Sequence, residues 1–187
     1  MNTSTDTLHT FLTPLTSQWT EIADWPLARF AVSGYQCDQL PPAAFITSVR
    51  AIVLRQTSEL RTEVLVVQDP ERYHIIPGGR RAAGETLTAT AAREVLEETG
   101  WQVTIGDLLG FAHFQRLTPL PPGVEFTGTE FVQLVYSATA ERYHAEGREE
   151  DGYEIGATFV DIAKLDEYNV TPGERLLLKA ALEKRIL

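Results

Sequence analysis

Three glutamates, Glu94, Glu97 and Glu98, stand at relative positions 0, 3 and 4 of one short segment, with Arg93 beside them and Glu85 nine residues upstream. On a helix turning about 100° per residue, the three carboxylates share an arc of roughly 100°. Like charges crowded in this way destabilise a helix unless something positive sits among them. A hard divalent cation taking oxygen ligands answers that need. The same segment carries Leu87, Ala91 and Val95 at i, i+4 and i+8, an apolar stripe that faces a core. Glu98 falls at the angle between Leu87 and Ala91, and Glu94 lies beside it. Helical glutamates ordinarily form a solvated face, but these two ride the edge of a buried stripe, where an uncompensated charge is costly. Arg93 alone is not expected to neutralise all three. The chemistry this implies is a divalent metal ion held by carboxylate oxygens.

The full spacing runs Gly79, five residues, Glu85, seven residues, then Arg93-Glu94-Val95-Leu96-Glu97-Glu98-Thr99-Gly100-Trp101, directly after a Pro77-Gly78-Gly79 turn. It resembles the signature box of the Nudix hydrolases, Gly-x5-Glu-x7-Arg-Glu-U-x-Glu-Glu-x-Gly-U with U a bulky aliphatic residue, and every fixed position is filled. Two departures stand out. Trp101 replaces the usual aliphatic residue, and His74 stands three residues before the Pro-Gly-Gly, where relatives often carry tryptophan. The resemblance implies a metal-dependent hydrolase that cleaves a phosphoanhydride bond in a nucleoside diphosphate linked to another moiety, with Mg²⁺ or Mn²⁺ as cofactor. By position it makes Glu97 and Glu98 the principal metal ligands and Glu94 a ligand or general base. The Gly78 carbonyl becomes a further ligand, since a residue without a side chain lets the backbone approach an ion. Glu85 and Arg93 resemble the pair that braces the box, Arg93 orienting a catalytic carboxylate.

Outside the box, candidate substrate contacts are Arg80 and Arg81 after the glycine turn, Arg50 on an early strand, and His113 with Arg116 on a later one. The acidic segment 141–154 offers Glu149, Glu150 or Glu154 as a further glutamate for the metals, as a matching loop does in several relatives. ADP-ribose-cleaving relatives tend to carry a proline some way beyond the box, and Pro119 lies 18 residues after Trp101, a pointer toward nucleotide sugars such as ADP-ribose. Modified nucleoside triphosphates are the alternative substrates. A non-catalytic nucleotide- or sugar-sensing domain is the alternative function, although such sensors often lose box glutamates.

The elements that must position these residues can be read from pattern. A helix spans about Thr86 to Thr99, with Gly100 as its C-terminal cap. Strands are expected at Phe45–Leu54, Glu63–Val67, Tyr73–Ile76, Trp101–Ile105, Leu109–Arg116, Glu130–Ala138 and Ala157–Asp161. Residues 117–128, rich in proline and glycine, form a loop. A second helix opens at Thr171-Pro172-Gly173-Glu174, an N-cap, a first-turn proline and a capping-box glutamate. The class is α+β, and the resemblance implies a Nudix-type mixed β-sheet sandwiched between helices, with an N-terminal extension. Residues 1–10, rich in Ser and Thr, read as a disordered tail. Residues 11–42, carrying Trp19, Trp25, Phe30 and Tyr35, read as an extension that packs on the domain or on a partner subunit in a homodimer, with a strand permitted at 27–32. Residues 43–187 form the main domain.

The 187 residues suffice for one well-buried domain and are too few for two ordinary ones. No apolar run approaches a membrane span, and no basic region precedes an apolar stretch, so neither a membrane partner nor a secretory signal is expected. The lone Cys37 excludes an internal disulfide and fits a reducing cytoplasm. Four scattered histidines and one cysteine lack zinc-site spacing. A net charge of −10 argues against a nucleic acid polymer as partner. It leaves room for a phosphorylated small molecule, because a bound cation reverses the local sign.

Overall fold

Burial on both faces of two central strands sets the architecture. The structure, a computed structural model, describes residues 3–123, 128–149 and 152–185. Its strands are β1 (Trp19–Trp25), β2 (Ala28–Tyr35), β3 (Ile46–Gln56), β4 (Thr62–Gln68), β5 (Tyr73–His74), β6 (Gly78–Arg80), β7 (Trp101–Arg116), β8 (Glu130–Tyr143) and β9 (Gly156–Asp161). Its helices are α1 (Thr3–Leu12), α2 (Leu87–Thr99) and α3 (Pro172–Arg185). On β3, Ala51 and Val53 pack with Val95 of α2, whereas Ile52 and Leu54 pack with Leu177 and Leu178 of α3. β4 divides in the same way, Leu65 toward α2 and Val64 with Val66 toward α3. Successive side chains leave opposite faces, so a strand covered on both sides reads as an unbroken apolar run.

The sheet runs β1-β2-β7-β8-β3-β4-β5, with β6 added to β3 and β9 to β4. β3 and β8 pair in parallel and the other pairs are antiparallel, which makes the sheet mixed. The decisive irregularity lies on the free side of β3. Its partner there is β4 at Leu54–Gln56 but β6 at Ser48–Arg50, and between them the Ala51 amide donates to the Pro77 carbonyl at 2.9 Å. The sheet forks at this point, and the Pro-Gly-Gly turn that leads to α2 fills the fork.

Two expectations are corrected. Residues 3–10, read as part of a disordered tail, belong instead to α1, and Leu8 is buried among Val49, Ala91, Phe111 and Val132; residues 1–2 lie outside the described residues. Leu8, Phe11 and Leu12 form a short i, i+3, i+4 stripe that the surrounding threonines mask in composition. The two strands expected within 101–116 are a single strand whose pairing to β8 shifts between Ile105, Leu108 and Gly110, where bulges re-aim it without ending it. The extension beyond α1 is a hairpin. β2 pairs with β7, and β1 is the outer edge. Trp19 fills a notch between Gly34 and Gly173, where any added Cβ would overlap its indole ring. The hairpin is thereby seated against the start of α3.

Candidate active site

α2 is set by its ends. Thr86 caps the first turn, its Oγ1 accepting from the Ala89 amide at 3.1 Å. Gly100 closes the helix in the left-handed conformation (φ 75°), its amide donating to the Leu96 carbonyl at 2.7 Å. Ala91 and Val95 are fully buried, so the helix is held with the box carboxylates along its half-buried edge. The C-terminal Trp101 meets Tyr143 and Phe159, and the Arg55 guanidinium stacks on both Trp101 and Phe159. The large ring in place of an aliphatic residue is thus absorbed by packing.

Arg93 is the hub of the box. Its Nε and Nη2 donate to the two oxygens of Glu85 at 2.7 and 3.1 Å, and its Nη1 donates to Glu97 Oε2 at 2.6 Å. Nη2 also lies 2.9 Å from Glu94 Oε1 and donates to the Arg80 carbonyl at 3.1 Å. One guanidinium therefore serves three carboxylates, through the planar fork of donors that lysine lacks. The bond from Arg93, the Ala82 amide at 3.1 Å and the Thr90 hydroxyl at 3.0 Å hold the Glu85 carboxyl down to about 2. Its bonds to Glu85, Glu94 and Glu97 push the Arg93 guanidinium above its ordinary range.

Glu98 is held differently. Its Oε2 accepts from the Gly78 amide at 2.9 Å, at the fork of the sheet. Burial pushes its carboxyl up to about 8, with Arg50 opposing and Glu154 reinforcing. Burial also raises Glu94, against the pull of Arg93. Gly79 lets Glu94 approach: a Cβ on it would lie 2.2 Å from Glu94 Oε2. Glu98 opens onto a cavity of about 450 Å³ lined also by Arg50, Gln133, His74, the Arg72–Glu174 pair and the β1 residues Trp19, Glu21 and Trp25. Arg50 donates to the Ile76 carbonyl at 3.0 Å and to Gln133 Oε1 at 3.3 Å, and burial lowers its proton affinity.

The structure gathers some of the expected site residues and separates others. Glu85, Arg93, Glu94 and Glu97 form one bonded cluster, and Glu98, Gly78 and Arg50 meet at the fork. Arg80, the last residue of β6, and Arg81 after it are exposed, and Arg81 donates back to the Glu85 carbonyl at 3.1 Å. Arg116 does not line the cavity. It stands opposite Phe30, beyond the aromatic cluster of Phe114 and Phe131. His113 points to the other face of β7, because adjacent residues alternate. There it pairs with Glu130 at 2.9 Å in a second cavity beneath α1. In the acidic segment, Glu154 lines the first cavity, the Glu149 amide donates to the Glu97 carbonyl at 2.9 Å, and Glu150 lies outside the described residues. Pattern reading assigned no role to His74, Gln133 or the β1 hairpin. A polar residue inside the apolar run of β8, and a histidine where tryptophan is usual, were the available signals.

The donor chemistry suits a hard divalent cation. Glu94, Glu97 and Glu98 each use one carboxylate oxygen in the contacts above, which leaves the other for an ion, and the donors are oxygens without thiolate. Among the described residues no three such side chains converge on one point.

A forked mixed sheet between helices, with a glutamate-rich loop and helix seated in the fork, defines the class. Residues 45–181 match the NUDIX domain, and the chain belongs to the Nudix hydrolase family. A stretch of 63 residues is 40% identical to the Caenorhabditis elegans protein named nudix hydrolase 1, covering 32% of this chain and 17% of that one. The chain thus spans about a sixth of that curated relative. Among solved structures, the Bacillus subtilis pyrophosphohydrolase BsRppH superposes with a TM-score of 0.58 at 20% identity, covering 83% of this chain and 92% of that one. The NUDIX domain of Shewanella oneidensis NrtR, solved with ADP ribose, superposes with a TM-score of 0.53 at 17% identity, covering 79% and 94%. These likenesses establish the fold.

Proposed function

We propose that this protein is a metal-dependent pyrophosphohydrolase that cleaves the phosphoanhydride of a nucleoside diphosphate linked to another moiety, with a nucleotide sugar such as ADP-ribose as the favoured class. The observation that carries this reading is the complete box, in which Arg93 binds Glu85, Glu94 and Glu97 while Glu98 opens onto a cavity. Glu97 and Glu98, with Glu94 and the Gly78 carbonyl, would hold Mg²⁺ or Mn²⁺, which supplies charge neutralisation of the phosphate oxygens. Glu85 fixes Arg93, and Arg93 fixes the angles of Glu94 and Glu97. A water attacks one phosphorus, and the bond from that phosphorus to the bridging oxygen breaks. The leaving phosphate departs with the bonding electrons, and Glu94 takes the water's proton, its burial having raised its proton affinity. Arg50 in the cavity lining, and Arg80 and Arg81 beyond it, offer positive charge to the substrate phosphates, and Glu154 is the glutamate of the described part of the acidic segment that lines the cavity.

The same reading takes the protein as cytoplasmic, with a phosphorylated small molecule rather than a nucleic acid polymer as partner; none of its described helices is long and apolar enough to cross a membrane. It also takes the protein as a homodimer joined through edge strand β1, where Ile22 is 50% exposed. Size-exclusion chromatography of Ile22→Asp checks this, and a monomeric wild type ends it. The function itself is tested by phosphate release from a panel of nucleoside diphosphate derivatives with Mg²⁺, comparing wild type with Glu97→Gln and Glu98→Gln. Turnover that both substitutions abolish supports the reading. Intact ligand binding without turnover of any member would replace it with the sensing domain.

A further inference from the structure

The charged side chains lining the cavity beyond Glu98 are mostly acidic. Among the described residues, seven carboxylates line it against two guanidinium groups, and both of these are engaged: Arg50 with Ile76 and Gln133, Arg72 with Glu174 at 3.2 Å. His74 also lines it, only 7% exposed, and its Nδ1 is buried without a hydrogen-bond partner among the described residues. A buried polar nitrogen left unpaired costs free energy, and a ligand that supplies the missing bond, once the ring turns that nitrogen toward the cavity, recovers it. Burial, with Arg50 and Arg72 adding to it, holds the imidazole proton affinity down to about 3. The ring is therefore neutral at physiological pH and offers one donor and one acceptor.

Resting on the hydrolase reading above, we propose that His74 is the specificity residue of this cavity, selecting substrates whose diphosphate is joined to an uncharged, hydroxyl-bearing group such as a sugar. A hydroxyl both donates and accepts, which suits a neutral imidazole and free carboxylate oxygens alike. A third phosphate in the same place meets more carboxylates than guanidinium groups, so the cavity discriminates by repulsion as well as by contact. Its volume of about 450 Å³ admits a sugar. The tryptophan common at this position in relatives would bring a larger ring and a donor only, with no acceptor for a hydroxyl proton.

The test compares wild type, His74→Phe and His74→Asn on two sugar nucleotides, ADP-ribose and UDP-glucose, and on ATP, which carries a phosphate where they carry a sugar. KM and kcat are measured with Mg²⁺. Affinities are measured by calorimetry in a Glu97→Gln background, where turnover does not consume ligand. His74→Phe is expected to raise KM and Kd for the sugar nucleotides about ten-fold, the loss of one hydrogen bond, while ATP changes less than two-fold. His74→Asn, which keeps a donor and an acceptor, recovers part of the loss. An equal loss on all three ligands, no loss on the sugar nucleotides, or no sugar-nucleotide binding by wild type overturns the proposal. Sugar-selective binding that depends on His74 without turnover would uphold it while refuting the hydrolase reading. Turnover of all three ligands indifferent to His74 would do the reverse.

Discussion

Glu98→Gln should stabilise the metal-free protein, which is unusual for the removal of a hydrogen-bonded side chain. Glu98 titrates at about 8 in the folded chain against an ordinary value of 4.5, chiefly through burial. Between those values the folded state holds a proton that the unfolded state has released, so stability falls as pH rises from about 4.5 to about 8. At pH 7.5 the wild type has passed through about three units of this titration, a cost on the order of 4 kcal/mol at 1.36 kcal/mol per unit. Glutamine carries no charge and keeps an oxygen to accept from the Gly78 amide. In EDTA at pH 7.5 the variant should gain about 2–4 kcal/mol, the lower figure allowing for local relaxation and water entry. That corresponds to a Tm higher by roughly 5–15 °C for a domain of this size. At pH 5 the gain should shrink to under about 1 kcal/mol. Thermal denaturation followed by circular dichroism at both pH values, with and without Mg²⁺, measures all of this. Mg²⁺ should raise the wild-type Tm more at pH 8 than at pH 6, and the variant's much less at either. A gain that is absent, or equal at pH 5 and pH 7.5, would refute the assignment of Glu98 as a buried carboxylate awaiting a cation.

Other substitutions separate activity from stability. Gly79→Ala places a Cβ against the Glu94 carboxylate, a flexible group that can move aside, so melting should shift by less than about 1 kcal/mol while turnover falls about 100-fold. Arg93→Met strips Glu85, Glu94 and Glu97 of their shared partner, and kcat should fall at least as far with the fold retained by circular dichroism. Gly100→Ala forces a side chain into the left-handed region and against Tyr143, and denaturant unfolding should show a loss of about 1–2 kcal/mol. Thr86→Ala removes the cap of α2 and should cost about 1 kcal/mol in the same assay.

The box was legible because its constraints are local. Spacing by 3 and 4 places Glu94, Glu97 and Glu98 on one arc of any helix, Thr86 and Gly100 mark that helix's ends, and Ala91 with Val95 give its buried side, all within a few turns of chain. The capping box at Thr171 and Glu174 was legible for the same reason, and both of its hydrogen bonds form, at 2.9 and 3.2 Å. What local pattern could not supply was the company these residues keep. Arg50 and His113 look alike in sequence, single polar residues on apolar strands. Only the register and the alternation of faces send Arg50 to Glu98 and His113 to Glu130. The fork of β3, the seating of the β1 hairpin beside α3 and the isolation of His74 depend on contacts between residues tens of positions apart. By itself, then, the sequence determined that a helix edge would carry a braced set of carboxylates, because helical periodicity acts within a few residues. The tertiary structure decided which cavity those carboxylates open onto and what lines it, because that follows from strand pairing across the chain.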